Sequence, residues 1–158
     1  CDKTVKGCHT AILEYNREGL DPIHGVLKNC SALTTKGAMF RSSVRHGLYQ
    51  VRVEVCQKDG CNKKPLQFPP INNKLNGVRC PSCNATDALT CEADGVVECV
   101  GEMTNCIYFA ATYFRSDAPP IMFEVHRGCT SAKSMTEYPD ILAYKLQDIV
   151  TMEISKGV

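Results

Sequence analysis

The spacing of the cysteines constrains this chain more than any other feature. Cys1 to Cys8 is seven residues and Cys8 to Cys30 is twenty-two, while Cys99 to Cys106 is seven and Cys106 to Cys129 is twenty-three. The residues between them match in kind. HTAILEY follows Cys8 and IYFAATYF follows Cys106, both apolar and rich in β-formers. Each run meets a turn-forming patch, EGLDP or RSDAPP, and then a second extended run, IHGVLKN before Cys30 or IMFEVHRG before Cys129. Each unit therefore reads strand, turn, strand, cysteine. Twenty-five residues past the closing cysteine stand Val55 and Ile154, which end the β-type runs QVRVEV and DIVTMEI. A duplicated, disulfide-stapled hairpin module is the simplest account, and it predicts an all-β chain of two small units.

The repeat divides 158 residues into halves too small to build a sufficient core unaided, a shortfall that disulfides commonly make up. Eleven cysteines in such a chain imply an oxidising compartment, so the expected setting is secreted and extracellular. The opening on Cys1 suggests a mature or trimmed amino terminus, and EISKGV at the other end has no hydrophobic tail of the kind that directs a lipid anchor. A net charge of +1 gives no electrostatic case for nucleic acid, and no segment reaches the roughly 18 apolar residues of a membrane span. The sequons Asn29-Cys30-Ser31 and Asn84-Ala85-Thr86 support a glycoprotein, with Asn84 preferred because the Asn29 neighbour Cys30 is a disulfide candidate.

In chain order, a first module over residues 1–62 ends in QVRVEVCQKDGCN, a strand followed by a tight loop between Cys56 and Cys61 with Asp59-Gly60 at its turn. Residues 63–77 are a linker, stiffened by Pro65, Pro69 and Pro70. The second module occupies residues 78–158. Within it DILAYKLQDI fits either a strand or a short amphipathic helix with Ile141, Leu142 and Leu146 on one side.

CPSCNATDALTC, VECVGEMTNC with the apolar run behind it, and VCQKDGCN together resemble the three-finger domains of the lymphocyte-antigen and urokinase-receptor superfamily. Two modules joined by a PLQFP-like linker, the second opening NGVRCPSC, look most like the gamma-type phospholipase A(2) inhibitors. The resemblance implies a pairing of Cys80 with Cys106, Cys83 with Cys91, Cys99 with Cys129, Cys1 with Cys30 and Cys56 with Cys61. Cys8 is then left unpaired or intermolecular, and the first module lacks part of its first finger. The family's further bridge to the last strand is missing at both ends in both modules, since SALTTKGAMF and TSAKSMTEY carry no cysteine.

Catalytic and metal chemistry find little footing. CPSC has the spacing of a redox or zinc pair, but the turn-rich NATDALT follows it where a redox motif wants a helix, and no second close pair lies in the same module. His9, His24, His46 and His126 are scattered and stand in no nucleophile motif. The reading is a binding protein, not an enzyme, with no cofactor and no metal. Its candidate binding residues are Pro65, Leu66, Phe68, Pro69 and Pro70, together with the finger tips at Arg17–Pro22 and Arg115–Pro120. For Leu66 and Phe68 the favoured role is to pack the two modules together, which does not exclude partner binding. The resemblance implies an inhibitor that binds a secreted phospholipase A(2) and occludes its surface. The alternatives are a courtship-factor-like signal, a structural protein of a secretion or a receptor ectodomain, and a homo-oligomer is compatible with each.

Overall fold

A computed structural model describes every residue except 1–4, 6, 20, 32–36, 59, 115–120 and 134–145. All regular elements among the described residues are strands. They are β1 (Gly7–Arg17), β2 (Ile23–Ser31), β3 (Gly37–Val44), β4 (Gly47–Cys56), β5 (Leu75–Thr86), β6 (Gly95–Val100), β7 (Asn105–Phe114), β8 (Ile121–Thr130) and β9 (Leu146–Lys156). The chain is all-β, as the repeat predicts, and the two units are built alike.

The likeness extends to register. Cys8 of β1 lies opposite Cys30 of β2, as Cys106 of β7 lies opposite Cys129 of β8. Val55 of β4 faces His9 and Ile154 of β9 faces Ile107, each one residue past the middle cysteine. The order β2-β1-β4 is therefore repeated as β8-β7-β9. Of the segment that fits strand or helix, Leu146 onward is strand, with Leu146 paired to Tyr113; Ile141 and Leu142 lie outside the described residues.

Four disulfides hold the described residues: Cys56–Cys61, Cys80–Cys106, Cys83–Cys91 and Cys99–Cys129. Cys30 is also bridged, and Cys8 is free. Cys80, Cys99, Met103, Cys106 and Cys129 form a small sulfur-rich core, with Val78, Val97 and Val100 packed against it. β5 begins at Leu75, inside the stretch read as linker, because Leu75 already pairs with Val100 of β6.

The units share one sheet. Ser42–Val44 of β3 pair with Thr130–Gly128 of β8, while the same edge of β8 continues along β5, where Glu124–Arg127 pair with Thr86–Cys83. Gly128 permits this junction, since a Cβ there would stand 2.0 Å from the carbonyl oxygen of Ser43. A second apolar core draws on both units, taking Ala11, Phe40, Val51 and Val53 from the first and Ile107, Phe109, Ala111, Ala132 and Met152 from the second.

A sheet covered on one face shows alternating burial, but Thr10, Ala11 and Ile12 are buried consecutively, as are Phe40, Arg41 and Ser42. Both faces of the first unit's sheet are therefore covered. Ala11, Phe40 and Val51 face the shared core, so Thr10, Ile12, Arg41 and Gln50 point the other way.

Candidate binding surface

The linker supplies cover for that other face. Arg52 of β4 donates to the carbonyl of Gln67, and Arg41 of β3 donates through Nη2 to the carbonyl of Pro69 and through Nη1 to that of Pro70 at 3.5 Å. Lys28 of β2 reaches the carbonyl of Asn62 at 2.7 Å. A Pro-Pro stretch is extended and forms no ladder of its own, so its carbonyls are free to accept. The linker is thus a strap held from beneath by cationic side chains.

Arg41 is the centre of this arrangement. It is 2% exposed, and besides the strap its Nε donates to Gln50 Oε1 at 2.9 Å and its Nη1 to Glu102 Oε1 at 2.5 Å. Gln50 passes the chain on, donating to Glu14 Oε1 at 2.9 Å. A planar guanidinium with five donors suits such a hub, because it ties the strap, the first unit and the loop after β6 at one buried point.

With its backbone so held, the strap leaves Leu66 and Phe68 half-buried and Pro65, Pro69 and Pro70 exposed. At the finger tips, Arg17 ends β1 and Glu18, Asp21 and Pro22 are exposed. The amide of Glu18 donates to the carbonyl of His46, and His46 Nδ1 lies 2.9 Å from Glu18 Oε2, which ties this tip to the β3–β4 turn. Arg115–Pro120 lie outside the described residues. Deeper between the units, Tyr15 donates its hydroxyl to Glu124 Oε1 at 3.0 Å. Burial first, then the nearby Glu124 carboxylate, raise the Tyr15 hydroxyl well above its ordinary pKa.

The sulfur atoms of Cys80, Cys99 and Cys129 lie within 4.8 Å of one another, the spacing of a metal cluster. Each is in a disulfide, and a disulfide sulfur is not the thiolate that zinc requires. Cys80 and Cys83 of CPSC are bridged to different partners rather than to each other. Asn29 is exposed on β2 and its Oδ1 accepts from the amide of Cys30, whereas Asn84 is half-buried in β5 with its Oδ1 away from solvent.

His9 is half-buried, and His24 and His46 lie beside Glu14 and Glu18 on the surface. His126 is buried on β8, its ring 5.2 Å from that of Phe109, and its Nδ1 has no hydrogen-bond partner. Burial lowers its pKa to about 4. Below pH ~6.5 the unfolded chain takes up a proton that the folded chain refuses until about pH 4. Stability should therefore fall by about 3 kcal/mol as pH drops through that window and level off beneath it. Denaturant melts of the wild type and His126→Phe between pH 7 and pH 4 check this. The two chains should diverge as pH falls, and parallel curves would show that His126 is not the titrating group.

The sequence reads 63–77 as a proline-stiffened linker and does not by itself identify the side chains that hold it. Arg41 and Arg52 sit in strands whose local pattern is ordinary, and the signal available was a charged residue opposite the apolar parity of GAMFRSSV. Its partners are sixty and more residues away in one case and twenty-eight in another, which no local motif reports.

A family model for the u-PAR/Ly-6 domain matches residues 1–64 and again residues 76–147. Among characterised proteins the chain is similar to Protein RoBo-1 of Rattus norvegicus, 29% identical over 92 residues, which are 56% of this chain and 35% of RoBo-1. The chain thus covers about a third of the length of that relative. Among the described residues no helix is long and apolar enough to cross a membrane.

Proposed function

We propose, from the premise that the chain belongs to the u-PAR/Ly-6 domain family with two such domains in tandem, that it is an extracellular protein-binding chain whose partner meets the linker strap. The observation that carries this reading is the strap itself. Its backbone is held by Arg41 and Arg52 while Leu66, Phe68 and three prolines stay wholly or partly in solvent. A ridge whose backbone is already ordered loses little conformational freedom on binding. The disulfide framework suits an oxidising compartment.

The partner we propose is a secreted phospholipase A(2), occluded at its surface by the apolar ridge. The likeness of PLQFPP to the linker of the gamma-type inhibitors supports it. Wild-type chain is expected to bind a secreted phospholipase A(2) at micromolar concentration. The double substitution Leu66→Ser and Phe68→Ser should weaken that binding by about ten- to several-hundredfold, from the loss of apolar contact at roughly 25 cal/mol per Å². Because both side chains are half-buried, melting should be followed on the same variant. A lower melting temperature with unchanged binding per folded molecule would assign them to packing the strap. Absence of binding by the wild type would end the inhibitor reading.

A further inference from the structure

The pairing of β5 with β6 slips between Leu75, opposite Val100, and Arg79, opposite Glu98. More residues of β5 than of β6 lie between those two pairs, so β5 bulges at Asn76, Gly77 and Val78. Gly77 has a φ of 86°, the left-handed region that a bulge glycine adopts. Asn76 closes the bulge with its side chain. Nδ2 donates to the carbonyls of Gly101 and Met103, each at 3.0 Å, and Oδ1 accepts from the amide of Val78 at 2.9 Å. Both hydrogens of the carboxamide are thereby used. The loop it holds carries Glu102, which meets Arg41, and Met103, 1% exposed in the sulfur-rich core. Asn76 is also the only asparagine of the chain that precedes a glycine. With no side chain on the following residue, the backbone nitrogen is unshielded, and nothing stands within 4 Å of where a Cβ of Gly77 would lie.

We propose that Asn76–Gly77 is a deamidation site that the clamp keeps silent while the loop after β6 is seated, and that its acid product prevents the loop from seating again. In the reaction the backbone nitrogen of Gly77 attacks Asn76 Cγ. A carbon–nitrogen bond forms and closes a cyclic imide, the Cγ–Nδ2 bond breaks, and Nδ2 leaves as ammonia with the proton from Gly77. Water then opens the imide to aspartate or isoaspartate, and no oxidant or reductant is involved. In the clamped state this path must break both hydrogen bonds of Nδ2 as Cγ becomes tetrahedral, which the seated loop opposes. Once the loop lifts, the carboxamide is free to turn onto the exposed Gly77. The product sets a carboxylate, which only accepts, against the carbonyl oxygens of Gly101 and Met103, so neither hydrogen bond can re-form. Isoaspartate also lengthens the backbone within the bulge. Opening of the loop is in this way recorded as a permanent change in the second unit.

The test incubates the full chain, disulfides intact, beside the same chain reduced, alkylated and unfolded, at neutral pH and body temperature. Aspartate and isoaspartate at residue 76 are followed by peptide mapping. The folded chain should convert at least about tenfold more slowly, since two hydrogen bonds must open first. Equal rates in the two states, or no conversion in the unfolded chain, would overturn the site. In urea below the unfolding transition, conversion should rise in step with exchange of the Gly101 and Met103 amides, which donate to the carbonyls of Lys74 and Val100 when the loop is seated. Conversion that does not follow those amides would show that the clamp is not what protects Asn76. For the product, Asn76→Asp should lower the melting temperature and speed exchange at Gly101 and Met103 while leaving the amides of β1 and β4 as in the wild type. An Asp variant whose loop amides stay as protected as those of the wild type would refute the second half of the proposal. Phospholipase binding enters none of these readouts, so the outcome is independent of the strap.

Discussion

Replacing Cys99 and Cys129 together by alanine is expected to lower stability by about 5 kcal/mol. The bridge closes a loop of 30 residues, for which the chain-entropy relation gives about 3.6 kcal/mol. Both sulfurs are fully buried beside Met103 and Cys80, so their removal also leaves a cavity worth roughly 1 to 2 kcal/mol more. That total matches the whole stability of many domains of this size. The comparison pair is Cys83 and Cys91, whose bridge spans 8 residues and ends on a half-exposed Cys91, giving an expected loss of about 2.5 kcal/mol. Urea unfolding of both variants, with amide exchange to follow the second unit, is the measurement. A Cys99/Cys129 variant no weaker than the Cys83/Cys91 variant would show that the sulfur core is not the hub of that unit.

The second large effect belongs to Arg41. Arg41→Met should cost about 3 kcal/mol, because the buried Gln50 side chain and the part-buried carbonyls of Pro69 and Pro70 each lose a donor worth roughly 1 kcal/mol. The ion pair adds little: the Glu102 side chain is 46% exposed and can be rehydrated, so Glu102→Gln should cost under ~1 kcal/mol. For a chain of this length the Arg41 change corresponds to a fall of about 6 to 12 °C in melting temperature. Arg41→Lys should recover less than half of it, since an ammonium cannot fork between the strap and Gln50. Loss of the anchor should also expose the backbone after Lys63 and Lys64 to trypsin. An Arg41→Met variant as stable as Glu102→Gln, with the strap still protected, would refute the hub.

Much of this architecture was legible before any coordinates. Near-equal cysteine spacings with matching apolar runs required two like units, and the observed registers place Val55 and Ile154 at equivalent positions opposite His9 and Ile107. The turn patch EGLDP falls between β1 and β2. These readings succeed because they rest on local chemistry: β-branched and aromatic residues in extended runs, prolines that cannot continue a ladder, and cysteines whose separation sets which strands can meet.

Other features had no local signature. DILAYKLQDI has a period compatible with either state, and pairing with β7 makes its described part a strand. The strap was visible, but its ambiguity between packing and binding could not be resolved from PLQFPP alone, because the deciding contacts come from Arg41 and Arg52 on strands elsewhere. The settings of the two sequons also differ in a way their triplets do not show, Asn84 half-buried where β5 pairs with β8 and Asn29 exposed on β2.

By itself the sequence determined that the chain is all-β, duplicated and disulfide-stapled, since spacing and side-chain type act over a few residues and leave few alternatives. The tertiary structure alone decided that the two units share a sheet through β3 and β8 and that Arg41 is buried beneath the linker. Each of these depends on which surfaces meet across long stretches of chain. That choice follows from shape and from the need of every buried donor and acceptor for a partner, neither of which is written in any one segment.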